Sequence, residues 1–118
     1  MNALVVDDSA VMRKVLTGAL ARADITDVAY AADGVEAVAA CENQDFKIVL
    51  MDWNMPNMSG IEAVKAIRAM GKTIPIVMVT SETEKSRIIE ALKAGANNYI
   101  VKPFEPETIV GKIKDLLR

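Results

Sequence analysis

The sequence predicts a layered α/β fold, a parallel sheet of five strands with helices on both faces, and three observations carry that prediction. Short, continuously apolar runs rich in β-branched residues recur along the chain, as strands buried on both faces require. Segments whose apolar residues return at helical spacing lie between them. Strand and helix alternate five times, and a (βα)5 order of this kind is built with right-handed crossovers that place helices on either side of one sheet.

Taken in order, "ALVV" (3–6) is the first strand, and it stops at Asp7 and Asp8. Ser9 is placed to cap the helix that follows, in which Val11, Met12, Val15, Leu16, Ala19 and Leu20 form one apolar face. "VAYAA" (28–32) is weaker and reads as an edge strand, with Asp33 as the next helix cap. "KIVLM" (47–51) is the third strand; Ser59 then caps a helix carrying Ile61, Val64 and Ile67. "PIVMV" (75–79) is the fourth, after which Ser81 is the expected cap of a helix with Ile88, Ile89 and Leu92, and Gly95 suits its left-handed end. "YIV" (99–101) is the fifth strand. Pro106 suits the first position of a last helix bearing Ile109, Val110, Ile113, Leu116 and Leu117.

Composition narrows the function classes. The 118 residues fit one compact domain, expected to span 1–118 with no output domain, and 52% hydrophobic residues suffice for a core. The apolar runs are strand-length, too short for a membrane span, and the N-terminus lacks the basic and apolar regions of a signal peptide. The single cysteine, Cys41, cannot form an internal disulfide, so a cytoplasmic location is expected. A net charge of −2 with mixed signs offers no basic patch for nucleic acid.

In open α/β sheets, ligands bind beyond the carboxyl ends of the strands, where the strand order reverses. The polar residues fall at those ends: Asp7 and Asp8 after the first strand, Asp52 after the third, Thr80 after the fourth and Lys102 after the fifth. If the first and third strands are neighbours, their ends lie roughly 5 Å apart. Three carboxylates would then share one small volume. Two unit charges 4 Å apart repel by about 4 kcal/mol at an effective dielectric of 20, and Lys102 offsets only part of that. Hard carboxylate oxygens with room for water suit Mg²⁺. Each feature alone has an ordinary reading as a turn, a cap or a solvated lysine; four βα junctions with compatible polar groups at one edge do not.

"VVDDS", "MDWNMPNMSG", "VTSE" and "YIVKPF" are similar, in type and order, to the signature segments of two-component response-regulator receiver domains, and the match runs from Leu4 to the last helix. Within that family the pattern around Trp53, Asn54 and Tyr99 most resembles single-domain chemotaxis regulators. The resemblance implies a flavodoxin-like, doubly wound sheet in the order 2-1-3-4-5. It implies that Asp52 accepts a phosphoryl group from a histidine kinase, and that Asp7, Asp8, Asp52 and the backbone carbonyl of Asn54 bind Mg²⁺. It further implies that Lys102 and Thr80 contact the phosphoryl oxygens, that Thr80 and Tyr99 act as the switch, and that the bond before Pro103 is cis. Asn54 and Glu82 stand where the family tunes acyl-phosphate lifetime, and resemble the short-lived class. The output face is expected on the fourth helix, fifth strand and fifth helix, around Lys85, Ile88, Ile89, Leu92, Tyr99, Val101 and Lys112.

The expected function is thus a phosphorylation-activated signalling switch in chemotaxis, a phosphoacceptor that assists its own phosphorylation and dephosphorylation rather than an enzyme. Its partners would be a histidine kinase and then a flagellar motor switch protein or a histidine phosphotransfer protein; no nucleic acid or membrane contact and a monomeric state are expected. The alternative is a stand-alone shuttle or phosphate sink in a phosphorelay. A haloacid-dehalogenase-type phosphatase is disfavoured by the missing Asp-x-Asp-x-Thr pattern, and a flavodoxin-like electron carrier by the two acids where a flavin phosphate would sit.

Overall fold

The computed structural model describes residues 2–117. Its elements are β1 (Asn2–Val6), α1 (Ala10–Arg22), β2 (Asp27–Ala31), α2 (Gly34–Asn43), β3 (Ile48–Met51), α3 (Gly60–Ala69), β4 (Ile76–Thr80), α4 (Lys85–Ala94), β5 (Asn98–Val101) and α5 (Pro106–Leu116). All strand pairs are parallel, in the order β2-β1-β3-β4-β5. This is the expected 2-1-3-4-5 sheet, and its strand order reverses between β1 and β3.

Alternation along the strands builds two cores, because successive side chains leave a strand on opposite faces. Leu4, Val6, Val49, Met51, Ile76 and Met78 pack with Ala37, Val64, Ile67 and Ala91 from α2, α3 and α4. Ala3, Val5, Ile48, Leu50, Val77 and Val79 pack with Leu16, Leu20, Ile109 and Ile113 from α1 and α5. Every residue of β3 and β4 is buried, whereas β2 at the edge buries only Ala31 fully and exposes Asp27 and Tyr30.

Local chemistry sets most helix ends. The side chains of Ser9, Asp33 and Ser59 accept the backbone N–H groups of Met12, Glu36 and Glu62, and Ser59 with Glu62 forms a reciprocal capping box. Pro106 opens α5, and Gly95, at φ +120°, ends α4. Arg68 holds that end: its Nε and Nη2 donate to the Gly95 carbonyl at 3.0 and 2.9 Å, and Nη2 also reaches Asn97 Oδ1 at 2.9 Å.

Two expectations fail. Ser81 does not cap α4, which begins at Lys85 after Glu84, a residue making no side-chain cap bond. The intervening residues are taken up by a loop in which the Glu82 N–H turns back to Thr80 Oγ1 at 3.3 Å. The apolar face of α1 is also narrower than its spacing implied. Val11 and Val15 are 73% and 42% exposed, because Val11 lies roughly 100° around the axis from Met12, off the stripe that meets the sheet.

Candidate functional site

The acidic cluster is assembled by the reversal of strand order. Val6 pairs with Met51 at the ends of β1 and β3, so the next residues, Asp7 and Asp52, leave the sheet side by side. The Asp52 N–H donates to the Val6 carbonyl at 2.9 Å and the Asp7 N–H to the Ala31 carbonyl at 3.1 Å, which continues the ladder one residue past the strands. Carboxylate oxygens of Asp7, Asp8 and Asp52 lie within 4.8 Å of one another. Asp7 and Asp52 are buried and Asp8 is exposed.

Each buried carboxylate is held by its neighbours. Asp7 Oδ1 accepts the Ser9 N–H at 2.9 Å, while Arg13 Nη1 donates to the Asp7 carbonyl at 2.7 Å. Asp52 Oδ1 accepts the Trp53 N–H at 2.8 Å. Lys102 Nζ stands 3.1 Å from Asp7 Oδ2 and 3.4 Å from Asp52 Oδ2. The lysine is set in place by its own N–H, which donates to the Thr80 carbonyl at 2.8 Å; the Lys102–Pro103 peptide bond is cis, as expected.

Burial pushes the Asp52 carboxyl above the usual carboxylate range, Lys102 opposes that rise, and the charge of Asp7 adds to it. One ammonium among three acids leaves the cluster short of positive charge. A hard divalent cation fits this donor set: oxygen ligands only, few of them, with one exposed acid leaving an open side.

Thr80 is fully buried at the end of β4, and its hydroxyl accepts the Glu82 N–H. Tyr99, on β5, donates its hydroxyl to the Glu82 backbone carbonyl; burial, then the Glu82 charge, raises its pKa. Asn54 Nδ2 donates to Glu82 Oε1 at 3.3 Å. The residues expected to act together thus form two linked groups: Asp7, Asp8, Asp52 and Lys102 as one ionic cluster, and Thr80 and Tyr99 joined through Glu82. Two contacts had no sequence signal. Arg13 reaches back to the Asp7 carbonyl, and the Arg87 guanidinium of α4 lies 5.6 Å from the centroid of the Trp53 ring, which directly follows Asp52.

Of the expected output residues, Ile89 and Leu92 are exposed and Ile88, Tyr99, Val101 and Lys112 are half-buried, giving a mixed apolar and basic surface. Among the described residues, no helix is long and apolar enough to cross a membrane.

Comparison with known proteins agrees with this geometry. Residues 3–114 match the response regulator receiver domain. The chain is 49% identical over 120 residues to a chemotaxis protein CheY homolog of Campylobacter jejuni, covering 99% of this chain and 92% of the relative. It is similar in structure to CheY4 of Vibrio cholerae, at TM-score 0.89 and 39% identity over 98% of each chain. It is also similar to a Borrelia burgdorferi CheY in complex with CheX, BeF3 and Mg²⁺, at TM-score 0.94 and 29% identity over 100% of this chain and 90% of that one. The chain belongs to the response regulator receiver domain family, as a CheY-like phosphoacceptor domain of chemotaxis signalling.

Proposed function

We propose that Asp52 is the phosphoryl acceptor and that Asp7, Asp8, Asp52 and the backbone carbonyl of Asn54 hold Mg²⁺. The convergence of three carboxylates within 4.8 Å, beside a single lysine, is the observation that carries this reading. An Asp52 oxygen attacks the phosphorus of a kinase phosphohistidine; the P–O bond of an acyl phosphate forms, the P–N bond breaks, and the imidazole leaves. Mg²⁺, when bound, supplies positive charge to the phosphoryl oxygens, where charge resides during such transfers.

This chain's residues do the rest. Ser9 and Arg13 fix Asp7, the Trp53 N–H orients Asp52, and Lys102 stands between both acids, ready to pair with a phosphoryl oxygen. The buried Thr80 hydroxyl, now satisfied by the Glu82 N–H, turns to donate to the phosphoryl group. The Glu82 backbone then shifts, and with it the hydrogen bond to Tyr99, which lies on the face expected to meet partners. The CheX complex of the similar Borrelia burgdorferi protein supports a partner-binding role. The partners we assign are a cytoplasmic histidine kinase and a flagellar motor switch protein.

The test is labelling from acetyl phosphate or a kinase. Label is expected in the parent with Mg²⁺, and none in Asp52→Asn or with EDTA; label that persists in either sinks the assignment. Rapid back-transfer from the labelled chain to a histidine phosphotransfer protein, without phosphate-dependent binding to a motor protein, would favour the shuttle reading.

A further inference from the structure

The loop that carries Asp52, Trp53 and Asn54 runs from the end of β3 to Ser59, and α2, an element contributing no acid to the cluster, grips it. Asp33 spends its two carboxylate oxygens on different tasks. Oδ1 accepts the Glu36 N–H at 2.9 Å and so caps α2, while Oδ2 accepts Asn57 Nδ2 at 2.7 Å. One residue further, the Gly34 N–H donates to the Met58 carbonyl at 3.1 Å. A Cβ at position 34 would lie 2.6 Å from that oxygen, so the approach needs glycine. Asn57 sits at φ +67°, a left-handed conformation that asparagine accepts more readily than most residues.

We propose that Asp33 and Asn57 are positioning residues for the metal site, a brace from α2 that fixes the loop holding the Asn54 carbonyl. The inference rests on the metal reading given above. The far end of the loop is closed by the Gly60 N–H, which donates to the Trp53 carbonyl at 2.8 Å. Asn54 lies between that closure and the brace, so its backbone is confined from both sides. A helix cap alone would be served equally by serine; the second oxygen of Asp33 is engaged by Asn57. The amide of Asn57, after the Glu36 N–H, also holds the Asp33 carboxyl below its ordinary range. Groups that orient metal ligands without touching the metal commonly change affinity by 10–100-fold when removed.

The experiment is titration calorimetry of the intact protein with MgCl2 alone, without phosphoryl donor, alongside urea unfolding. Asn57→Gly keeps the left-handed backbone and removes the amide; Asp33→Ser keeps the cap and removes the second oxygen. Each is expected to weaken Mg²⁺ binding on the order of tenfold, and the double variant no further than either single. Asp33→Asn keeps the cap through its one carbonyl oxygen and rejoins Asn57 once that amide turns over to accept, so it should bind as the parent does. Asp7→Ala should lose binding. Parent-like affinity in Asn57→Gly and Asp33→Ser, with binding lost in Asp7→Ala, overturns the brace alone, as do losses that simply add in the double variant. Normal binding in both Asp7→Ala and Asp8→Ala overturns the metal reading and the brace with it. Should Asp33→Ser fail to fold, Asn57→Gly decides the outcome.

Discussion

The loops after β3 and β4 leave the same sheet edge, yet they are built in opposite ways. The first is fixed throughout its length: Gly60 closes on Trp53, Ser59 and Glu62 cap α3 reciprocally, and α2 holds Asn57 and Met58. The second hangs on a few bonds. Glu82 meets Thr80 through a 3.3 Å contact, meets Tyr99 through its carbonyl and meets Asn54 through its side chain; α4 then starts without a side-chain cap and has Ala91 as its buried residue. The chemistry proposed for Asp52 needs fixed geometry, since small misplacements of reacting groups cost large factors in rate. A response needs an element whose stability is low enough to be shifted. The molecule separates the two demands between adjacent loops.

The difference can be broken most severely at Gly60. A Cβ there would lie 1.8 Å from the Asp52 carbonyl oxygen, so Gly60→Ala must push the braced loop off β3. A loss on the order of 3 kcal/mol is expected in urea unfolding, the upper end for overpacking, together with loss of labelling. A parent-like midpoint would show the loop to be less rigid than its contacts imply.

A smaller effect, of the opposite sign, is expected at Asp52 itself. Its raised pKa means that the folded chain binds a proton more tightly than the unfolded chain. Stability due to Asp52 is therefore highest below the ordinary carboxylate range and falls as pH rises through the raised pKa. Asp52→Asn removes that fall. In metal-free buffer at neutral pH it should be more stable than the parent, by about 1.4 kcal/mol for every tenfold by which folding tightens proton binding at Asp52. Urea midpoints measured across pH should show the advantage vanishing in acid.

The mildest test tightens the loose loop. Glu84→Ser supplies α4 with the cap it lacks, for an expected gain of about 1 kcal/mol. If low stability at this junction serves the response, phosphate-dependent partner binding should weaken although labelling is unchanged. An unaltered response would place the movable part elsewhere.

Much of this was legible in the residues. Continuous apolar runs located all five strands to within a residue, and hydroxyl or carboxylate side chains ahead of apolar periodicity located three caps. The acids announced the cluster, because neighbouring strands of a parallel sheet bring their ends together whatever lies between them in the chain. What stayed hidden was long-range and aperiodic. Asp33 reads as a cap, and nothing in the chain couples it to Asn57 across 24 positions. Ser81 misleads because a cap signal is local, whereas its loop is shaped by Tyr99, far along the chain. The width of the α1 stripe was overestimated because spacing shows which residues share a face but not where the sheet stops covering it.

Arg68 gives α4 a mechanical asymmetry. The guanidinium pins the helix at Gly95, and Asn97, the second anchor, is itself tied to β4 by the Ile76 N–H at 2.9 Å. At the other end, Lys85 follows an uncapped turn. A rod fastened more firmly at one tip swings about that fulcrum, so in the switch proposed above a small pull at Glu82, resisted near this end by the Arg87 contact with the Trp53 ring, would become angular travel that is greatest near Lys85 and fades toward Ala94. The half of the helix nearest the acidic cluster would then sweep the wider arc, so that a partner resting there would feel a change of tilt and one seated by Gly95 almost none.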